Sequence, residues 1–417
     1  MFTIAIFGFG GRGKIYADNF RYLGVEVTAV CDYSEARLQI AREQYPNATT
    51  YADEKKFFAA GKLADVLVVA TLDDQHYLPT VKGMELGYDI ILEKPISFVR
   101  RECDGIAEIA RRTGKKVTVC HVLRYAPFYA KAKALLDRGD FGKILHISMS
   151  EHVGFYHFAH SYVRGPWRNT QTSAPVILAK SCHDLDLFAW FMDCKCEKIS
   201  SFGGLDHFIP ENAPEGASKR CSDCKYRESC PYSCFKIYLN DEYERLAALA
   251  RHGRLGGTKE EIAATLSDGK NPYGRCVYAC DNNVFDHQVV NMRFENGATG
   301  QFALWAQSEH MQRTLHIICE KGEIYGKEGE NRQLCYRFYG NPTEEHTIDI
   351  VYENEIYSSH GGGDMGLVKA FTDNSEVADG KMRSDIFLSL ESHYMGFAAQ
   401  ESAENDGVAI AVEAFRR

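Results

Sequence analysis

Six residues near the amino terminus, Gly8-Phe9-Gly10-Gly11-Arg12-Gly13, constrain this chain more than any other stretch. They follow an apolar run, Phe2–Phe7, and precede a helical pattern from Lys14 to about Tyr22. A G-x-G-x-x-G loop between a strand and a helix is a cradle for a dinucleotide. Gly8 permits the tight turn, Gly10 lets backbone approach a pyrophosphate, and Gly13 lets the helix sit close on its sheet. The helix start adds unpaired N–H groups and partial positive charge for the phosphates. Phe9 and Arg12 belong to the same loop and join the expected cofactor contacts. A second strand, Glu26–Cys31, ends in Asp32. That is about 20 residues past the glycines, where a carboxylate binds ribose hydroxyls and repels a 2′-phosphate. NAD is therefore expected over NADP, with Arg37 nearby as the opposing feature.

The alternation continues through helix Glu35–Gln44, strand Val66–Thr71, helix His76–Leu86, strand Asp89–Leu92, helix Arg101–Arg112 and strand Lys116–Cys120. This predicts a doubly wound parallel sheet, a Rossmann-type dinucleotide domain over residues 1–124. Thr71 leaves its strand on the cofactor side. His76 either faces solvent at a helix start or touches the cofactor. In Ile90–Ser97 (IILEKPIS), a buried strand delivers Glu93 and Lys94 to its carboxyl end, where such sheets hold their ligands. Pro95 stops the strand and keeps Lys94 extended.

Length and charge bound the rest. A chain of 417 residues predicts two or three domains. A net charge of −9 with no Lys/Arg cluster argues against nucleic acid. No apolar run approaches the roughly 18 residues that span a bilayer. The first residues run straight into the glycine loop without a basic leader, so a cytoplasmic protein is expected. Its 14 cysteines are then thiols or metal ligands rather than disulfides.

Together, the glycine loop, Asp32, Asp74-Gln75-His76 and Glu93-Lys94-Pro95 resemble the Gfo/Idh/MocA family, the relatives of glucose–fructose oxidoreductase and inositol dehydrogenase. The resemblance implies a nicotinamide domain followed by an α+β domain with a large, mostly antiparallel sheet. It places Lys94 beside the nicotinamide and the reacting hydroxyl, with Pro95 cis, and Arg124 near the nicotinamide. It matches His183 to the family's general base at a helix start. Many members carry an aspartate four residues earlier; here that residue is Ala179, and Lys180 next to it is expected to take over part of the site. The resemblance also implies a homodimer or homotetramer formed through the C-terminal sheet.

Residues 125–417 read as the substrate and oligomerisation domain. Glu151–Thr170 mixes His152, His157, His160, Arg164, Trp167 and Arg168 with aromatics, after a strand at Ile144–Ser150. Such a mixture suits a sugar or cyclitol, whose ring faces stack while its hydroxyls need fixed partners. The alternative is a loop packing aromatics between domains. From Ser181 the pattern is a buried helix, with Lys180 placed by i+3 and i+4 spacing near His183 and Asp184. A second cation there would depress the pKa of His183 or Lys94. The expected catalytic residues are Lys94, His183 and Lys180. The expected substrate contacts are Lys94, His157, Arg164, Trp167, Arg168, Lys180 and His183.

An insertion at about residues 204–282 contains Cys221, Cys224, Cys230 and Cys234, with Cys276 as an alternative fourth ligand and Cys280 beyond. The spacing allows a structural zinc, free thiols or, less suitably, an iron–sulfur cluster. Leu239–Leu266 reads as two polar helices. Beyond it lie strands Phe285–Phe294, Ala298–Trp305, Arg313–Cys319, Gly322–Tyr325, Gln333–Phe338 and Glu345–Val351, an antiparallel sheet of four to six strands covered by helices on one face. Helices begin at Asp364 and Leu390. His360 and His393 remain undecided. The chain reads as an NAD-dependent oxidoreductase acting on a secondary hydroxyl of a sugar, glycoside or cyclitol. The alternatives are an NAD-dependent enzyme that cleaves glycosides by transient C3 oxidation, and a non-catalytic NAD- and sugar-sensing regulator.

Overall fold

The computed structural model describes residues 2–243, 258–329, 332–341, 343–352, 359–373, 377–378, 381–382 and 384–416. The first domain alternates β1 (Thr3–Phe7), α1 (Gly11–Tyr22), β2 (Glu26–Cys31), α2 (Glu35–Gln44), β3 (Thr49–Tyr51) and α3 (Glu54–Ala59). It continues with β4 (Val66–Val69), α4 (Tyr77–Glu85), β5 (Asp89–Leu92), α5 (Arg100–Thr113) and β6 (Val117–Val119). The sheet order is β3-β2-β1-β4-β5-β6, every pair parallel. The direction of winding reverses between β1 and β4, so their carboxyl ends bracket the crevice where such sheets bind ligands. Both faces carry helices, which is why β4 (VLVV) is buried at every position. On α5, Cys103, Ile106, Ala107 and Ala110 form the buried stripe, and left-handed Gly114 ends the helix. The β3–α3 unit was not anticipated. Its strand is a three-residue edge, and Phe57 is the one buried side chain of its helix, so neither repeats an apolar period.

A short turn at Val122–Tyr125 and α6 (Pro127–Asp137) lead to the second domain. Its strands are β7 (Ile144–His152), β8 (Cys196–Gly204), β9 (His287–Phe294), β10 (Thr299–Trp305), β11 (Gln312–Cys319), β12 (Gly322–Glu328), β13 (Gln333–Phe338), β14 (His346–Asp349) and β15 (Ile410–Ala411). They form one sheet of nine strands in the order β14-β13-β12-β11-β7-β10-β9-β8-β15. All pairs are antiparallel except β7 with β10. The sheet is larger than the four to six strands expected, because β7 inserts from far away in sequence and β8 and β15 extend one edge.

Helices α7 (Cys182–Met192) and α11 (Ile386–Glu404) cover one face; α8 (Cys234–Tyr238) and α9 (Lys259–Ser267) lie in the insertion and α10 (Gly363–Asp373) near the C-terminus. A side chain at Gly396 of α11 would meet Leu178 at 2.4 Å, so α11 approaches closely. The opposite face alternates outward and leaves Phe202 51% and Val289 41% exposed. α9 is the second of the two helices expected in the insertion, and Thr258 with Glu261 forms its capping box; the first lies outside the described residues. α10 returns to the first domain, where Leu367, Val368 and Ala370 join Ile4, Ile6, Tyr16 and Phe20 in one apolar cluster.

Candidate active site

A cavity of about 1290 Å³ opens between the glycine loop and the second domain. Its cofactor half is closed to side chains at two glycines. Gly8 has φ +92°, and a Cβ there would lie 2.7 Å from the Ala70 carbonyl oxygen; a Cβ on Gly13 would lie 2.0 Å from that of Gly8. α1 begins with no side-chain cap, leaving first-turn N–H groups for a ligand. Asp32 stands at the end of β2, its Oδ2 accepting from Phe9 N at 2.8 Å and Arg37 at 3.3 Å, its Oδ1 from Ser34 N at 2.8 Å. Gly8, Phe9, Gly10, Arg12, Asp32, Thr71, Glu93 and Lys94 line the cavity. A narrow glycine turn, free helix-start donors and a terminal carboxylate fit a dinucleotide.

Three expected cofactor residues lie outside this lining: Gly13, which packs on the Gly8 backbone, His76 and Arg124. His76 is buried with Nδ1 2.7 Å from the Pro95 carbonyl and Nε2 3.3 Å from that of Thr71, tying two strand ends together. Arg124 is buried in a bidentate pair with Asp186, both bonds 2.6 Å. Neither lines the cavity; each is consumed by packing between elements.

At the other end, Lys94 donates from Nζ to the Ala179 carbonyl at 2.6 Å, spanning the two domains. The Lys94–Pro95 bond is cis. Glu93 beside it accepts from Arg12 Nε at 2.6 Å, and Arg12 also holds Asp364 at 2.5 Å. Burial pushes the Glu93 carboxyl up, but Arg12 and Lys94 together hold it below its ordinary value. His183, at the start of α7, is 3% exposed, and neither ring nitrogen has a hydrogen-bond partner. Burial, then the Lys94 charge, depress its pKa well below the ordinary 6.5, so the ring is a neutral base.

Lys180 departs from the expected spacing. The helix starts only at Cys182, and Lys180 pairs with Glu151 of β7 at 3.2 Å rather than with Asp184. Asp184 bonds Arg313 at 2.9 Å, and Arg313 also bonds Glu151. Burial lowers the Lys180 pKa against the pull of Glu151, and burial raises Asp184 to about 7 despite Arg313.

The seven expected substrate contacts, Lys94, His157, Arg164, Trp167, Arg168, Lys180 and His183, all line the cavity. Within Glu151–Thr170, for which a loop was the alternative reading, a helical turn at Phe155–Phe158 runs into a π-helical turn, Ala159–Arg164. Several of its polar groups are already engaged. Trp167 donates to Asp73 at 3.0 Å, Arg168 grips Asp281 at 2.8 and 3.0 Å, and Arg164 donates to the Arg275 and Tyr232 carbonyls at 2.7 and 2.6 Å. His160 lines the cavity but stacks on Tyr273 at 4.7 Å and bonds Tyr238. His152 lies elsewhere, against Trp305 at 4.3 Å on the sheet. Of the two undecided histidines, His360 lines the cavity, whereas His393 is buried, its Nε2 accepting from Ile96 N at 2.8 Å. Sequence spacing gave no sign of Asp73, Glu151, Arg313 or Asp364, whose partners lie far along the chain.

The cysteine insertion does not match the expected zinc site. Among the described residues, no group of three or more His, Cys, Asp or Glu is arranged to hold a metal ion. Cys221, Cys224, Cys230 and Cys276 instead line a small cavity with Arg164. Cys234 hydrogen-bonds Cys221, and that bond, with Arg164 3.8 Å away, holds the Cys221 thiol below its ordinary value. All 14 cysteines are free of disulfides.

Two family models match the chain: an oxidoreductase family with an NAD-binding Rossmann fold over residues 2–121, and its C-terminal alpha/beta domain over 133–411. The chain belongs to the Gfo/Idh/MocA oxidoreductase family. The YteT protein of Bacillus subtilis is 24% identical over 82% of this chain and 81% of its own. Inositol 2-dehydrogenase of Rhodococcus erythropolis is 28% identical over 51% of this chain and 58% of its own length. Among solved structures, an oxidoreductase from Agrobacterium radiobacter in complex with NAD+, L-tartaric acid and magnesium superposes with a TM-score of 0.70 at 14% identity, covering 99% of both chains. The myo-inositol 2-dehydrogenase of Lactobacillus plantarum gives 0.64 at 16% identity, over 98% of this chain and 99% of its own. As a member of this family, the protein is an NAD-binding oxidoreductase.

Proposed function

We propose that the protein interconverts a secondary alcohol and a ketone on a sugar, glycoside or cyclitol. The observation that carries this reading is that Lys94, from the first domain, and His183, from the second, line the same cavity as the glycine loop. When bound, NAD supplies the acceptor for the hydrogen and electron pair leaving the carbon. The protein supplies orientation and electrostatics. Lys94 is fixed by the Ala179 carbonyl and presents an ammonium where alkoxide charge develops. His183, neutral and unpartnered, takes the hydroxyl proton at a ring nitrogen. Lys180, bonded to Glu151, meets the remaining hydroxyls, and the wall from His157 to Arg168, whose Trp167, Arg164 and Arg168 are held by protein partners, shapes the space around the ring.

Asp32 favours NAD, since a 2′-phosphate would approach its carboxylate; Arg37, already bonded to it, lessens that preference. The open sheet face, with Phe202 and Val289 outward, fits a homodimer or homotetramer. The disulfide-free cysteines suit a reducing, cytoplasmic compartment. The test is incubation with NAD and a panel of inositols, free sugars and glycosides, following the NADH absorbance band and ketone formation. NADH accumulating with one polyol supports the reading. Glycoside cleavage without net NADH indicates transient oxidation instead, and NAD binding with no turnover of any compound indicates a sensor.

A further inference from the structure

His360 has an unusual placement. Its backbone is left-handed, φ 50° and ψ 48°, and left-handed Gly361 and Gly362 follow at φ 60° and 85°. A non-glycine residue persists in that region only where its surroundings over-determine it, and such residues gather at functional sites. Here the ring is held by Asp364, four residues on at the start of α10, with Nδ1 2.9 Å from Oδ2. Asp364 is 0% exposed and also takes two bonds from Arg12, which in turn bonds Glu93, the neighbour of Lys94. Toward the cavity, the His360 ring centre is 5.6 Å from that of His183, with the planes tilted by 52°. The charged groups facing His360 are Asp364 on its own segment, Arg12 from α1 at 3.5 Å, and Lys180 and His183 from the second domain.

Resting on the oxidoreductase reading above, we propose that His360, oriented by Asp364, is the proton acceptor behind His183. In the oxidation direction the hydroxyl O–H bond breaks and its proton goes to a ring nitrogen of His183. The C–H bond breaks toward the dinucleotide with both its electrons, and the carbonyl forms. The proton is then the one product this chain must remove. His183 is ill-suited to keep it, being buried with Lys94 and Arg313 acting on it and no hydrogen-bond partner. Burial disfavours an imidazolium at His360 too, but Asp364 opposes that, and with a side chain 28% exposed the charge is better placed there than on His183 and can reach water. The Asp364 bond places the hydrogen on Nδ1 and leaves the Nε2 lone pair to receive the proton. The two rings stand within a rotamer adjustment or a bridging water of direct transfer. Asp364 is thus a positioning residue.

The test uses NAD-saturated protein labelled with nitrogen-15 histidine, with the His360 signals identified by their loss in His360→Asn. The wild type is expected to show His360 protonated at Nδ1, and Asp364→Asn to abolish that preference. Protonation at Nε2 in the wild type overturns the proposal. With the polyol or sugar found to turn over, His360→Asn should lower kcat about 100-fold with little change in KM, and added imidazole should restore part of it. A kcat and pH profile equal to the wild type's overturns it too. Should Asp364→Asn fail to fold for loss of the Arg12 pair, the wild-type tautomer and the His360→Asn kinetics still decide. Inactive Lys94→Ala beside fully active His360→Asn refutes the relay alone, whereas no turnover with any compound refutes the oxidoreductase reading.

Discussion

At the scale of single residues, the site is a set of groups whose ionisation is set by burial before neighbours. His183 shows the consequence best. A base works in its unprotonated form, and burial beside Lys94 lowers its pKa, so the acid limb of kcat/KM for alcohol oxidation should lie below pH 6.5. A limb at or above 6.5, measured with saturating NAD, would show that another group is the base. Lys180→Met should raise KM for the polyol, and it leaves Glu151 with Arg313 as its remaining cation, costing about 1–3 kcal/mol in urea unfolding. Unchanged KM and stability would remove Lys180 from the site. Lys94 was legible because it sits at a strand end that local pattern marks, and His183 because the family resemblance points to the start of its helix. Arg12 with Asp364, 352 positions apart, was not, because no local period records a pairing across the whole chain.

At the scale of elements, the glycine loop has the tight backbone that its spacing implied. Gly13→Ala would set a methyl 2.0 Å from the Gly8 carbonyl oxygen, pushing α1 off the sheet. It should cost about 1–3 kcal/mol and weaken NAD binding, as calorimetry would report; wild-type affinity would mean that the loop does not hold the dinucleotide. The strands of the first sheet were readable as continuous apolar runs, except β3, whose half-exposed edge carries no such signal. Alternation located six strands of the second sheet from β9 onward, but their order was not readable, since β7 joins β10 and β11 across about 150 residues. The helix expected from Ser181 starts at Cys182, so Lys180 lies just before it and meets Glu151 of β7, a partner that no helical spacing records.

At the scale of the molecule, acid should destabilise this protein early. Burial keeps His121, His146, His152, His183, His360 and His393 below their ordinary 6.5, so below that pH the unfolded chain binds protons that the fold refuses. Stability is full above about 6.5 and falls by about 1.4 kcal/mol per pH unit for each ring that stays neutral. Asp184 and Asp186, raised by burial, oppose this, but they are two groups against six. Urea midpoints should therefore fall from about pH 6.5 to about pH 5, and a midpoint that rises over that interval would contradict the assignment. The proposed chemistry likewise needs both domains, because Lys94 belongs to one and His183 to the other, joined by the Lys94–Ala179 bond. The most direct measurement is NADH production by Lys94→Ala beside the wild type, with NAD affinity measured in both. The account predicts NAD affinity within a few-fold of the wild type and turnover reduced by about 100-fold or more. Turnover equal to the wild type's, at equal NAD occupancy, would contradict it.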